Sequence, residues 1–194
     1  MKTISLLLVF ILSQPSFSQS EFQIEIDAGY AFQGRMMLNN EELADANSLS
    51  LRFGMNYLQM LNDKFYLETG LYGKYNRGNR KIETLVFTSN NFKGLLPLYI
   101  GYKINNRWKF GVGASIENNK DYDDINFKTE NENLRYDFIT KLIYSYTDRI
   151  KFSLYTNWML HDTPDVYTIS SPRNGMYLGA IYQLGKTTNP KNKE

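Results

Sequence analysis

Residues Leu95–Glu117 read LLPLYIGYKINNRWKFGVGASIE, two runs of alternating polarity joined at Asn105–Asn106–Arg107. This period of two constrains the fold more than any other feature of the chain. Successive side chains of a strand point to opposite faces, so each run has two chemically distinct sides. The first sets Leu96, Leu98, Ile100, Tyr102 and Ile104 against Leu95, Pro97, Tyr99, Gly101 and Lys103. The second sets Trp108, Phe110, Val112, Ala114 and Ile116 against Lys109, Gly111, Gly113, Ser115 and Glu117.

The same alternation recurs in Phe22–Gln33, Ser48–Met60, Lys64–Tyr75, Glu132–Tyr146, Ile150–Leu160 and Asn174–Leu184, which makes eight strands. Their connections are Gly34–Asn47, Leu61–Asp63, Asn76–Lys93, Asn105–Arg107, Asn118–Asn131, Thr147–Arg149 and His161–Arg173, with Ile82–Thr88 able to prolong the fourth strand. In order these are roughly 14, 3, 18, 3, 14, 3 and 13 residues long. An even strand number with strictly alternating long and short connections is the pattern of an outer-membrane barrel. The expected fold is therefore all-β: an eight-stranded antiparallel up-and-down transmembrane β-barrel with short periplasmic turns and long outer loops. A soluble sandwich has no reason to alternate its loop lengths this way.

The charges agree. Glu25, Asp27, Arg52, Glu68, Lys74, Lys103, Lys109, Glu117, Arg135, Asp137, Lys141 and Lys151 all fall on the less greasy side. A charge facing lipid at the bilayer midplane costs about 2–4 kcal/mol, whereas five acids and seven bases inside a closed lumen can pair. Eight strands leave an interior that side chains fill, so these residues are expected to form a polar plug. On the greasy side, Tyr57, Phe65, Tyr102, Trp108, Tyr144 and Tyr182 sit near the short turns. Tyr30, Phe32, Tyr75, Tyr136 and Trp158 sit near the long loops. Two such belts suit a membrane with two interfaces and are absent from lipocalin-like soluble barrels.

A mean hydropathy of −0.45 argues against a helical membrane protein and leaves a barrel open, since barrel strands are only half apolar. With 22 Lys and Arg against 20 Asp and Glu, the chain shows no sign of a nucleic-acid binder. It has no cysteine, which excludes disulfides, thiolate metal sites and a lipid-anchored cysteine. Met1–Gln19, MKTISLLLVFILSQPSFSQ, has the charged, apolar and small-polar parts of a cleavable secretory signal. The expected organisation is thus a signal peptide over 1–19, a barrel over 20–184 and a polar, basic tail over 185–194, in the outer membrane of a Gram-negative cell.

Several segments carry a family resemblance: FYLETGLY at Phe65–Tyr72, GLLPLYIGYKI at Gly94–Ile104, WKFGVGASIE at Trp108–Glu117 and YLGAIYQL at Tyr177–Leu184. With them the mature chain resembles the small outer-membrane β-barrel family of the OmpA transmembrane domain, OmpX and PorT-like proteins. Two departures stand out. Leu95 replaces the acid that PorT-like members often carry two residues before the proline, and ten residues follow Leu184. The resemblance implies an integral outer-membrane protein and no single activity, because such barrels serve as adhesins, stabilisers, secretion accessories and occasionally enzymes.

Candidate chemistry is sparse. His161, the one histidine, lies beside Asp162 and near Asp165, Ser170 and Ser171, and it is the candidate base of a lipid-modifying enzyme. No nucleophile motif surrounds either serine. Asp121, Asp123 and Asp124 are candidate cation ligands without the glycine and distal glutamate of a calcium loop. Arg77, Arg80, Lys81 and Lys93 make the second long loop basic and suit phosphorylated headgroups such as lipopolysaccharide. Pro97, lacking an N–H, is expected to mark a bulge. The reading from sequence is a non-enzymatic outer-membrane barrel, without cofactor, that contacts membrane lipid and meets the envelope or a protein partner through its outer loops. The alternatives are the His161 enzyme and a PorT-like secretion accessory.

Overall fold

A computed structural model describes residues 19–38, 41–82, 85–118, 134–160 and 174–188. They form eight strands: β1 (Gln19–Leu38), β2 (Glu41–Met60), β3 (Phe65–Ile82), β4 (Leu85–Lys103), β5 (Trp108–Asn118), β6 (Leu134–Ser145), β7 (Ile150–Met159) and β8 (Asn174–Thr188). Each pairs antiparallel with its neighbours in sequence, and β1 pairs with β8 to close the barrel. Closure leaves the barrel wall without a free edge, which is what a sheet in lipid requires.

Three short turns define one end of the barrel, and they share one construction. Asn62 Oδ1 accepts the N–H groups of Lys64 and Phe65 at 2.9 and 2.8 Å. Asn105 Oδ1 accepts those of Arg107 and Trp108 at 2.8 and 2.9 Å. Thr147 Oγ1 accepts those of Arg149 and Ile150 at 3.3 and 2.9 Å. The carbonyls of Phe65, Trp108 and Ile150 each accept two N–H groups, those of the two residues that follow the incoming strand. A short polar side chain that satisfies the turn's own backbone is the reason Asn and Thr stand at this position.

At the opposite end the expectation fails in an informative way. Gly34–Asn47 and Asn76–Lys93 are mostly strand rather than loop. The β1–β2 ladder runs to Leu38–Glu41, and the β3–β4 ladder runs to Ile82–Leu85. Strands β1 to β4 are 20, 20, 18 and 19 residues long, against 11, 12 and 10 for β5 to β7. Alternation of polarity ends where lipid ends, but backbone pairing has no need of lipid. The extra residues amount to roughly 25 Å of strand on the loop side at the usual rise per residue. Bulges at Ala31–Gly34 and Met36–Met37 accompany this extension. The loops expected at Asn118–Asn131 and His161–Arg173 lie almost wholly outside the described residues, as does the signal peptide up to residue 18.

Two further details depart from expectation. Strand β8 continues four residues past Leu184, to Thr188, after a register shift in the β1–β8 ladder between Phe22 and Gln23. Pro97 produces no bulge: the β3–β4 register is the same on both sides of it, and only the partners of Gly70 and Leu71 are missing. Thr69 spans the gap, its hydroxyl donating to the Pro97 carbonyl at 2.9 Å. The missing N–H therefore interrupts the ladder without adding a residue.

The two faces separate as the pattern predicts. Leu49, Leu71, Ile100, Leu178 and the rest of the outward set are exposed, while the inward set is buried. Among the described residues there is no helix long and apolar enough to cross a membrane. The outward aromatics near the turns pair across strands: Phe22 with Tyr57, Phe65 with Tyr102 and Trp108 with Tyr144, at ring separations of 4.9, 5.3 and 4.8 Å. Cross-strand aromatic pairs of this kind stabilise a sheet and place amphipathic rings at one level.

Candidate functional site

The lumen holds the chain's concentrated chemistry. Its space is set by register: four of the five buried tyrosines among the described residues sit opposite inward glycines. Tyr66 pairs with Gly101, Tyr72 with Gly54, Tyr99 with Gly113 and Tyr177 with Gly29. A Cβ on Gly101 would lie 2.0 Å from Tyr66 Cζ, so the ring occupies the room that glycine leaves. Tyr99, Tyr155 and Tyr177 cluster with Ile139, and Tyr66 clusters with Leu58 and Met60.

Charges fill the remaining space. The Glu25 carboxylate accepts from Lys141 Nζ at 2.6 Å, Asn56 Nδ2 at 2.7 Å, Ser153 Oγ at 2.8 Å and the Tyr72 hydroxyl. Lys141 also donates to Glu68 at 2.6 Å, so one cation bridges two acids. Asp27 accepts from Arg52 Nε at 2.8 Å and lies 3.0 Å from Ser153 Oγ. The Arg52 guanidinium stacks 3.7 Å over the Tyr155 ring and 4.6 Å from that of Tyr72. Toward the loop side, Glu117 meets Lys74 at 2.9 Å and Lys93 at 3.5 Å, and Asp137 meets Arg135 at 2.7 Å and Asn157 at 2.9 Å. Arg52, Tyr99 and Lys141 are at most 1% exposed, which closes the middle of the barrel with side chains.

The turn end differs. Glu21 accepts from Gln23 at 2.8 Å, meets Lys109 at 3.4 Å and accepts from Lys151. Beyond this group a cavity of about 420 Å³ opens between the turns, bounded by Lys103, Arg149, Asp148, Met60, Gln183 and Leu184 among others.

Of the twelve charges expected in the lumen, eleven are buried there and Lys103 is half-buried at the mouth. Two lumen charges were missed. Glu21 is buried at the turn end, and its closeness to the signal segment hid it. Lys93 is a correction. Expected in a basic loop, it is 3% exposed and faces the lumen beside Glu117, so it cannot reach lipid headgroups. Its neighbours in the wall supply the reason: strand β4 already alternates there, with Phe92 exposed and Leu95 buried. Arg77 is exposed on the outward face, two residues loop-ward of Tyr75. Arg80 and Lys81 belong to the β3 extension, paired with Phe87 and Val86. His161, Asp121, Asp123 and Asp124 lie outside the described residues, and among the described residues no group of acids or histidines could hold a metal ion.

A closed eight-stranded antiparallel barrel with a lipid-compatible outside and a salt-bridged inside is the fold of a small outer-membrane β-barrel protein. One solved structure shares this fold. The outer membrane protein OprG from Pseudomonas aeruginosa superposes with a TM-score of 0.56 at 12% identity, over 89% of this chain and 97% of that one. A de novo designed transmembrane β-barrel aligns at a TM-score of 0.44 and 9% identity, over 84% and 96%. The Yersinia pestis outer membrane protein Ail aligns at 0.36 and 16%, over 84% and 100%. No protein-family model matches the chain, and no curated protein does either.

Proposed function

We propose that this chain is a non-enzymatic integral outer-membrane protein that serves envelope structure or surface interaction through its loop end. One observation carries the reading: an apolar, aromatic-belted outside encloses a lumen whose middle is closed by charges that neutralise one another. Such a lumen contributes stability and shape rather than passage, and it leaves recognition to the ends of the barrel. The short turns then face the periplasm, and the extended β1–β4 sheet faces outward. Arg77, exposed on the outward face just past the upper aromatic belt, suits the phosphates of surface lipid, and Arg80 and Lys81 follow it in the β3 extension. No observation among the described residues favours a lipid-modifying enzyme built on His161 or a secretion accessory.

The test is fractionation followed by electrophoresis. The protein should sediment with outer membranes, migrate differently before and after boiling, and give no steady conductance in planar bilayers. Recovery in the soluble periplasm with unchanged migration would overturn the reading.

A further inference from the structure

The turn-end cavity has more positive charge than its own acids neutralise. Four bases bound it, Lys103, Lys109, Arg149 and Lys151, against two acids, Glu21 and Asp148. Glu21 is already engaged by both Lys109 and Lys151 as well as Gln23. Lys103 and Arg149 have no ion pair with any described residue, and they stand half-buried and exposed on the rim. The floor is closed by the buried Glu21, Lys109 and Lys151, with Met60 as an apolar wall. A concave site of about 420 Å³ is in the usual range for a small solute.

We propose that this mouth binds a small multivalent oxyanion, a polycarboxylate or a phosphate ester, from the compartment the short turns face. Lys103 and Arg149 meet the anion from the rim. Lys109 and Lys151 meet it from the floor, where the anion competes with Glu21 for their ammonium groups. Low-dielectric walls strengthen such an arrangement relative to free lysines in water. The turns that carry the site are fixed by the Asn105 and Thr147 caps, so the rim is preformed and little ordering is needed on binding. The site is at the opposite end from the extended strands and is independent of what those strands recognise.

The experiment uses the full mature chain refolded in detergent, titrated calorimetrically with pyrophosphate and with citrate at constant ionic strength. Both anions are expected to bind with one-site stoichiometry, and chloride at matched ionic strength should not displace them. Lys103→Gln with Arg149→Gln is expected to weaken binding roughly tenfold, the sum of two partly exposed charge contacts. Glu21→Gln removes the competing acid and is expected to tighten binding. Equal binding by wild type and double variant, or binding that tracks ionic strength alone, would overturn the proposal, as would weaker binding by Glu21→Gln. Heat-modified migration confirms that each variant is folded.

Discussion

The middle of the lumen and its turn-end mouth are lined by the same residue types, lysine, arginine, glutamate and aspartate, yet they differ in what those residues are free to do. In the middle every charge has a partner at contact distance and none reaches solvent: Lys141 bridges Glu25 and Glu68, and Arg52 is spent on Asp27 and two aromatic rings. At the mouth one buried acid faces two bases, and two more bases stand on the rim without an ion pair among the described residues. Charge type alone therefore does not mark function in such a barrel. Surplus charge beside open space does.

The comparison breaks most severely at Lys141. Lys141→Met leaves Glu25 and Glu68 facing each other without their shared cation, and removing one member of a buried ionic group costs about 3–5 kcal/mol. The denaturation midpoint of the detergent-refolded barrel should fall accordingly. Adding Glu25→Gln and Glu68→Gln should recover much of the loss, because neutral amides need no counter-ion. A Lys141→Met protein as stable as wild type would show that the middle of the lumen is no more committed than the mouth.

A steric variant comes next. Gly101→Ala puts a methyl group where the Tyr66 ring lies, with the new carbon 2.0 Å from Cζ before any shift. Overpacking of this kind costs about 1–3 kcal/mol. The cost should shrink in the Gly101→Ala, Tyr66→Leu double variant, since the two changes share one contact. Equal and additive losses in the unfolding titration would mean that Tyr66 does not depend on the glycine.

How much of this was legible in the sequence follows from which interactions are local. Faces were legible because the strand period is two and lipid punishes error: Lys109 and Lys151 were placed inward, Phe110 and Phe152 outward, and the structure agrees. Strand length was not. Past the apolar band the sequence no longer alternates in polarity, so Arg35, Asp45 and Asn79 read as loop although their backbones pair in the ladder. Lys93 was misplaced because the loop was taken to run up to it, whereas β4 already alternates there, with Phe92 exposed and Lys93 and Leu95 buried. The tyrosine–glycine pairing depends on register between strands: Tyr66 and Gly101 meet at the end of the β3–β4 ladder far from its connection, so the long β3–β4 excursion separates them in sequence. The cavity needs the positions of two turns and of the ends of β1, β2 and β8 at once, which no single stretch encodes.

A smaller effect tests whether the mouth depends on its turns. Asn105→Ala removes the acceptor for the N–H groups of Arg107 and Trp108, and Thr147→Ala does the same for Arg149 and Ile150. Each should lower stability by about 0.5–1.5 kcal/mol, the net worth of a typical hydrogen bond. If the rim is preformed by these caps, Thr147→Ala should also weaken pyrophosphate binding, because Arg149 is the residue it orients. Loss of stability with unchanged binding would separate the turn from the site.

The smallest stability effect belongs to the rim itself. Lys103→Gln and Arg149→Gln remove charges that hold no ion pair with a described residue, so unfolding should shift by no more than about 0.5 kcal/mol, as for ordinary surface substitutions. The same two changes are the ones expected to weaken anion binding. Lys141→Met carries the opposite signature, with a large loss of stability and no direct contact with the cavity. Measuring both quantities on both variants gives a crossed pattern only if the middle and the mouth divide the work as described. If the rim variants instead destabilise the barrel as much as Lys141→Met does, Lys103 and Arg149 are part of the plug, and the surplus charge at the mouth is structural after all.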